Sequence, residues 1–158
     1  MSIVLGIDPG LASTGYGFIR KQGGGLVCLT YGVIKTESTK KPQERLLLLY
    51  RELNSLIGEY KPVLSGMETL FFGKNVTSAL PVAQARGVIL LALAEHSIPV
   101  FEFSPNHIKQ SVIGQGKADK LQMQKMIQII FGLQTLPTPD HAADALGAAI
   151  ACAHGRMF

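Results

Sequence analysis

The chain has 158 residues, 47% of them hydrophobic and 16% charged, and carries a formal net charge of +4. This composition excludes a disordered chain and predicts a single globular domain over residues 1–158. The longest apolar run, residues 88–94, falls short of the roughly 18 residues that a membrane span needs, and we see no secretory signal. Two cysteines without metal-binding spacing fit a reduced, cytoplasmic protein.

The first third of the chain predicts three strands. Residues 3–8 are β-prone and apolar on both faces, which is typical of a central strand. A second strand is predicted near residues 14–21, and the glycines at 23–25 turn the chain into a third near 26–35. Connections this short make the three strands largely antiparallel.

Helices and strands alternate in the rest of the chain. Apolar residues at i, i+3, i+4 and i+7 predict a helix over 42–60, and a strand follows at 63–68. A longer helix lies within 76–96, where Pro81 fits only the first turn or a kink, and a fifth strand covers 98–104. The segment 82–93 of this helix fits either a dimer seam or an internal core helix.

The last third of the chain is rich in helix. Met123, Met126, Ile127 and Ile130 predict one amphipathic helix, and a final helix has Thr138 as its N-cap and Pro139 at its first position. The order βββ-α-β-α-β-α indicates an α/β fold, in which helices flank a mixed five-stranded sheet of three antiparallel and then two parallel strands.

Two carboxylates end strands that this topology brings together. The strand at 63–68 follows a crossover helix, so we expect it to run parallel to the first strand and beside it. Asp8 and Glu68 then lie at the sheet edge where α/β proteins place their sites. Taken singly, Asp8 before Pro-Gly also fits a tight turn, and Glu68 fits a solvated strand end.

The last helix adds two polar groups to this edge. His141 and Asp144 share a helix face, and Asp144 stands among alanines and leucines, where a lone acid is unfavourable unless a Lys or Arg pairs with it. Together with Asp8 and Glu68 they form a set of ligands that favours Mg²⁺ or Mn²⁺. Two such ions about 4 Å apart would activate a water and stabilise the leaving oxygen of a phosphodiester.

Four motifs in chain order resemble those of one nuclease family. They are GIDPGLASTGYG, GMETLFFGKNVTSALPVAQARG, SPNHIKQSVIGQGKADKLQMQKMI and PDHAADALGAAI, and they cover nearly the whole chain. The sequence thus resembles the RuvC family of Holliday junction resolvases. The resemblance implies an RNase H-like fold and a homodimer that nicks two symmetrically placed strands of a four-way DNA junction in recombination and repair. It also implies handover from a branch-migration motor of the RuvA and RuvB type, and cleavage within a short T-rich sequence.

By the same resemblance, the catalytic and metal-binding acids fall on Asp8, Glu68 and Asp144. The fourth position falls on His141, where many members carry Asp. Asp140 is the alternative, but the helix dipole already explains an acid in a first turn. We therefore expect His141 to serve. Because imidazole suits Mn²⁺ better than Mg²⁺, we expect stronger activity with Mn²⁺ and a loss of activity as the imidazole is protonated.

A basic segment carries most of the expected DNA contacts. Between residues 105 and 131 four lysines stand against one acid, Asp119. Lys109 and Lys120 match basic positions of the family, and Lys117 lies beside two glycines that let the backbone approach phosphates. Lys125 fits a solvated helix face.

Further DNA contacts are implied by the motif that follows Glu68. The resemblance places Phe71 where an aromatic ring stacks on unpaired bases, although aromatic residues in such a loop are usually part of the core. It also places Lys74 and Arg86 as contacts to the DNA.

Three other classes of function compete with the resolvase. An actin-like or sugar-kinase ATPase shares the strand that ends in Asp before Gly, but it needs two such domains. A junction-binding protein without catalysis would gain nothing from the intact acid set. A nuclease for RNA–DNA hybrids on the same fold differs in substrate preference, and the basic segment with the aromatic after Glu68 favours junctions.

Overall fold

The structure, a computed structural model, describes residues 2–70 and 75–155. Five strands form one sheet in the order β3-β2-β1-β4-β5. β1 (Ile3–Asp8), β2 (Ser13–Gln22) and β3 (Gly25–Lys35) are antiparallel neighbours. β4 (Leu64–Glu68) runs parallel to β1 and beside it, and β5 (Val100–Phe103) runs parallel to β4. This topology confirms the predicted fold class.

Helices cover both faces of the sheet and create two cores. α1 (Pro42–Tyr60) and α2 (Val76–Glu95) lie on one face, and α3 (Pro105–Ile113), α4 (Lys120–Phe131) and α5 (Asp140–Gly155) lie on the other. Side chains of β1 alternate between them, since Leu5 and Ile7 pack with α1 and α2 whereas Val4 packs with α5. The central position predicted for β1 is therefore confirmed.

The predicted glycine turn joins β2 to β3. Gln22 pairs with Gly25, so two residues form the loop, Gly23 at φ 58° and Gly24 at φ 84°. A two-residue hairpin loop with positive φ at both positions is the turn that favours glycine most strongly.

The start of α5 differs from the prediction by one residue. The carbonyl of Pro139 accepts hydrogen bonds from the amides of Ala142 and Ala143, at 2.9 and 3.3 Å, and α5 begins at Asp140. Pro139 therefore precedes the first helical residue, and the prediction of Thr138 as N-cap is wrong.

α2 presents apolar side chains on two opposite faces. By length and composition alone it is apolar enough to cross a membrane. One face is buried in the core and consists of Ala85, Ile89, Ala92 and Leu93. The other face is exposed and carries Val76, Leu80, Leu90 and Leu91, which we call the exposed α2 face. Each of the two predicted roles of this helix, dimer seam and core helix, thus fits one of its faces.

A row of three glycines crosses the sheet beneath α5. Gly17, Gly6 and Gly66 are paired partners on β2, β1 and β4. A Cβ on Gly6 would lie 1.9 Å from the carbonyl oxygen of Ala145, and a Cβ on Gly66 would lie 2.7 Å from that of Ala148. At Gly6 and Gly66 no side chain therefore fits between the sheet and the backbone of α5, and this absence sets how closely the helix packs there.

Gly15 extends the contact to the end of the sheet that carries Asp8. It pairs with Asp8, and a Cβ on it would lie 1.9 Å from the carbonyl oxygen of His141. The first turn of α5 is thus held directly beside the end of β1.

We expect Gly6→Ala to lower the free energy of unfolding by about 1–3 kcal/mol, because a Cβ directed at a backbone atom cannot be accommodated by a side-chain rotation. Urea denaturation measures this change. Gly58→Ala is the matched control, since nothing lies within 4 Å of that position in α1. It should be neutral or stabilise by up to about 1 kcal/mol, because alanine is the better helix former. Equal midpoints for Gly6→Ala and the wild type would contradict the close contact.

Candidate metal centre

Asp8 and Glu68 lie at adjacent strand ends, as expected. The preceding residues Ile7 and Met67 are paired in the parallel ladder of β1 and β4. Side chains alternate along a strand, so Asp8 and Glu68 face the same side as Gly6 and Gly66, which is the side of α5. The glycine row therefore leads directly to the two carboxylates.

α5 brings His141 and Asp144 to this edge. His141 Nδ1 donates a hydrogen bond of 2.7 Å to Asp8 Oδ2. Candidate ligand atoms of Asp8, His141 and Asp144 all lie within 4.8 Å of one another. Because the carboxylate engages Nδ1, Nε2 of His141 remains for a metal or a proton. This set of oxygen and imidazole donors fits a divalent cation such as Mg²⁺ or Mn²⁺.

The three carboxyl groups at this edge all have a raised pKa. Burial raises the pKa of Asp8, and the hydrogen bond from His141 offsets only part of the effect. Burial also raises the pKa values of Glu68 and Asp144, and repulsion adds to it, from Asp8 and Asp144 in the first case and from Asp8 in the second. Ionising all three together is therefore unfavourable without a cation, and clustered perturbed acids are typical of functional sites.

Two of the predicted DNA-binding lysines stand beside these acids. Lys109 and Lys120 lower the pKa of Glu68 in part, and Lys120 does the same for Asp8 and Asp144. Both lysines line a cavity of about 450 Å³ that also contacts Glu68 and Asp144. Glu68 and Asp144 thus share this cavity with the two lysines, and a phosphate group approaching it meets both kinds of charge.

The other two lysines of the basic segment are both exposed. Lys117 is exposed in the connection between α3 and α4, next to Ala118 of the cavity wall. Lys125 is exposed on α4, as expected for a solvated helix face. Phe71 and Lys74 lie outside the described residues.

Arg86, the third residue predicted from this motif to contact DNA, is largely covered by the protein. Only 11% of its side chain is exposed, and it forms an ion pair with Glu102 of β5. Its Nη1 also donates a 3.3 Å hydrogen bond to the main-chain carbonyl of Glu68. The guanidinium is thus occupied within the protein.

Asp140, the alternative to His141, is engaged elsewhere. Its carboxylate accepts hydrogen bonds of 3.4 Å from Lys120 Nζ and from Gln124 Nε2. Among the described residues, the cluster with metal-ligand spacing contains His141 and not Asp140. The contact with Lys120 nevertheless places Asp140 at the wall of the site.

Sequence reasoning missed the groups that hold the chain after Asp8. Thr14 Oγ1 donates to the carbonyl of Gly10, and Thr36 Oγ1 donates to that of Leu11, each at 2.5 Å. Arg45 Nε donates to Thr36 Oγ1 at 2.9 Å. Both threonines are buried, and buried hydroxyl groups need hydrogen-bond partners. The residues next to a threonine in the sequence do not show which group that partner is.

Glu102 was missed as well, although the sequence contained a signal for it. It is the only charged residue of β5, and Arg86 is the only charged residue of α2 apart from the terminal Glu95. Two isolated charges of opposite sign in apolar elements are expected to form an ion pair, because a buried charge without a partner is costly.

Comparisons with known proteins agree with this geometry. The family model for the crossover junction endodeoxyribonuclease RuvC matches residues 4–154. The protein of that name from Treponema pallidum strain Nichols is 51% identical over 98% of this chain and 79% of its own length. That from Heliobacterium modesticaldum is 46% identical over 96% of this chain and 94% of its own.

Solved structures give the same result. Thermus thermophilus RuvC superposes with a TM-score of 0.86 at 31% identity, over 96% of this chain and 93% of that one. The same protein in complex with a Holliday junction substrate superposes with a TM-score of 0.87 at 29% identity, over 96% and 92% of the two chains. The match over nearly the whole length of the sequence, together with the shared fold, shows that this chain belongs to the RuvC family of crossover junction endodeoxyribonucleases.

Proposed function

We propose that this chain is a metal-dependent endonuclease that resolves four-way DNA junctions by paired, symmetric nicks, as one nuclease domain over residues 1–158. The observation that carries the proposal is the cluster of Asp8, His141 and Asp144, whose candidate ligand atoms lie within 4.8 Å of one another, beside Glu68. Its relatives are named crossover junction endodeoxyribonucleases, and one is solved with a Holliday junction substrate.

Each of these side chains has a role that its position supports. Asp8, Glu68, His141 and Asp144 would hold two divalent ions. A bound Mg²⁺ or Mn²⁺ supplies an activated water and stabilises the leaving oxygen. A hydrogen bond to the Asp8 carboxylate would keep the proton of His141 on Nδ1 and leave Nε2 as the acceptor.

Basic residues would bring the DNA to the acids. Lys109 and Lys120 at the cavity wall, and the exposed Lys117, neutralise phosphates and release counterions. We keep Phe71 and Lys74 as proposed contacts to the crossover, because the motif of the family falls on them.

Cleavage of an end-labelled synthetic four-way junction tests the proposal. We expect paired nicks in the junction and none in linear duplex of the same sequence, with either Mg²⁺ or Mn²⁺. Asp8→Asn should abolish cleavage while binding persists, because the amide cannot replace the carboxylate ligand. Glu59→Gln, which changes an exposed acid of α1 on the other face of the sheet, is the control that should retain cleavage. Binding without cleavage in both metals would refute the catalytic role.

The choice between His141 and Asp140 can be made by substitution. We expect His141→Ala to lower the cleavage rate at least about 100-fold, because it removes one donor of the cluster. Asp140→Asn should change it by less than about threefold. The wild type should cleave faster in Mn²⁺ than in Mg²⁺, and His141→Asp should narrow that difference, because carboxylate suits Mg²⁺ better. A larger loss in Asp140→Asn than in His141→Ala would reverse the assignment.

Neutralising one acid should stabilise the metal-free protein. The pKa of Asp144 is raised on folding, so its ionised form at pH 7 disfavours the folded state. We therefore expect Asp144→Asn to unfold at a higher temperature than the wild type in EDTA at pH 7. The gain should shrink as the pH falls through the raised pKa, because the wild-type carboxyl then binds a proton. Calorimetry at pH 7 and pH 4.5 measures it, with the exposed Glu37→Gln as control. A lower melting temperature for Asp144→Asn at pH 7 would contradict the repulsion.

We also propose that the protein is a homodimer and that the exposed α2 face is its interface. Val76, Leu80 and Leu91 expose 56, 55 and 56% of their surface, and a contiguous apolar face of this kind is typical of an interaction site. Leu91→Glu should therefore produce a monomer in analytical ultracentrifugation. Ile129→Glu, at a position on α4 that is 72% exposed, should leave the dimer intact. A dimer that survives Leu91→Glu would place the interface elsewhere.

The cellular setting remains a proposal of the same kind. We propose that the protein acts in the cytoplasm on junctions delivered by a branch-migration motor of the RuvA and RuvB type. Support comes from the family membership and from its bacterial relatives. Reconstitution on one junction tests it, since a motor that leaves the cleavage rate unchanged speaks against a handover.

A further inference from the structure

Arg86 and Glu102 form an ion pair between two otherwise apolar elements. Arg86 projects from the buried side of α2, and Glu102 lies opposite Met67 in the pairing of β4 and β5. Met67 is fully buried in the core shared with α2. The pair therefore lies on the α2 face of the sheet, opposite the face that carries the carboxylate cluster.

The guanidinium of Arg86 also contacts the main chain of β4, at its last residue. Arg86 Nη1 donates to the carbonyl oxygen of Glu68 at 3.3 Å. The ladder between β1 and β4 ends at the pair Ile7 and Met67, so the Glu68 carbonyl lies beyond the last pair with β1. A carbonyl at this point needs another partner, and Arg86 supplies it.

The side chain of Glu68 is influenced by different cations. Lys109 and Lys120 lower the pKa of the Glu68 carboxyl from the α5 side, whereas Arg86 contacts the peptide group from the α2 side. On the β5 side, the amide of Thr69 donates to the carbonyl of Phe103 at 2.9 Å. The peptide group that joins Glu68 to Thr69 is thus fixed by two hydrogen bonds to different elements.

The burial of the Arg86 guanidinium costs free energy, and the carboxylate of Glu102 offsets this cost. Burial lowers the pKa of Arg86, which is the sign of a charge removed from water. The Glu102 side chain is 47% exposed, so it provides a counter-charge from the protein edge while Arg86 stays covered. The acid also fixes the direction of the guanidinium, whose second nitrogen then meets the carbonyl.

We propose that Arg86 is a positioning residue: held by Glu102, it fixes the main chain at Glu68 and so keeps the carboxylate in the neighbourhood of Asp8 and Asp144. The inference rests on the proposed nuclease function. It assigns to Arg86 a role inside the protein instead of a contact with DNA.

Three variants and one control test the role. Arg86→Met removes the charge and both hydrogen bonds with little change in side-chain length. Arg86→Lys keeps the charge but cannot serve Glu102 and the carbonyl with the same planar fork. Glu102→Gln keeps an acceptor for the guanidinium and loses the counter-charge. Arg51→Met removes an exposed arginine of α1 and is the matched control.

Four quantities separate positioning from DNA binding and from general stability. They are the single-turnover cleavage rate of prebound junction, the junction Kd without metal, the calorimetric Kd for Mn²⁺, and the melting temperature. For Arg86→Met we expect a cleavage rate at least tenfold lower and Mn²⁺ binding at least threefold weaker, with the junction Kd within twofold of wild type. Arg86→Lys and Glu102→Gln should lie between this variant and the wild type. The double variant Arg86→Met/Glu102→Gln should be no worse than Arg86→Met.

Other outcomes of these measurements would overturn the inference. A junction Kd raised tenfold in Arg86→Met, with a shallower salt dependence and an unchanged rate at saturation, would make Arg86 a DNA contact and overturn the inference. Wild-type rate and Mn²⁺ affinity in all three variants would overturn it as well. If Arg86→Met does not fold, Arg86→Lys and Glu102→Gln decide, since a lowered melting temperature with wild-type rate and Mn²⁺ affinity would leave only a structural role. Absence of cleavage by the wild type would instead refute the nuclease function itself.

Discussion

The close contact between α5 and the sheet is the constraint on which the candidate site depends. Gly6 and Gly66 lie directly against the backbone of α5, Gly17 lies against the side chain of Leu146, and Gly15 continues the backbone contact beside Asp8. Side chains at these positions would push α5 away from the strands, because a Cβ on Gly6, Gly66 or Gly15 would collide with its backbone. The hydrogen bond between His141 and Asp8 depends on this close approach. The geometry of the site therefore depends on the absence of side chains at these glycines as well as on the polar residues themselves.

This packing concentrates charge in a way that the fold alone would not favour. Three carboxyl groups with raised pKa values lie together, and the cations near them, Lys109 and Lys120, compensate only in part. A bound divalent ion would relieve the remaining repulsion, so metal binding and the stability of the fold are linked. The acids must also be held by rigid strands and a helix, because carboxylates on flexible loops would move apart under their mutual repulsion.

Much of the site could be predicted because its residues sit at ends of regular elements. Asp8 and Glu68 each end an apolar strand, and a parallel arrangement of those strands follows from the crossover helix between them. The second apolar face of α2 could not be assigned, because burial in a core and burial against a partner require the same residue types. The burial of Arg86 could not be predicted for a related reason: an arginine in a nuclease motif fits a phosphate contact, and its ion pair with Glu102 is visible only in three dimensions. The start of α5 depended on which carbonyl accepts the first hydrogen bonds, a choice between Thr138 and Pro139 that residue preferences do not make.

The contact of α5 with the glycine row also has a consequence for the timescales of motion. Backbone packed on backbone has no rotamers through which to loosen, so the amides of β1 and of the middle of α5 should exchange with solvent only when the whole fold opens. Lys117 and the connection around it are exposed and share few such contacts. The lysines that would first meet a ligand can therefore adjust on fast timescales, whereas the main chain of β1 and of the middle of α5 is held in place until the fold opens.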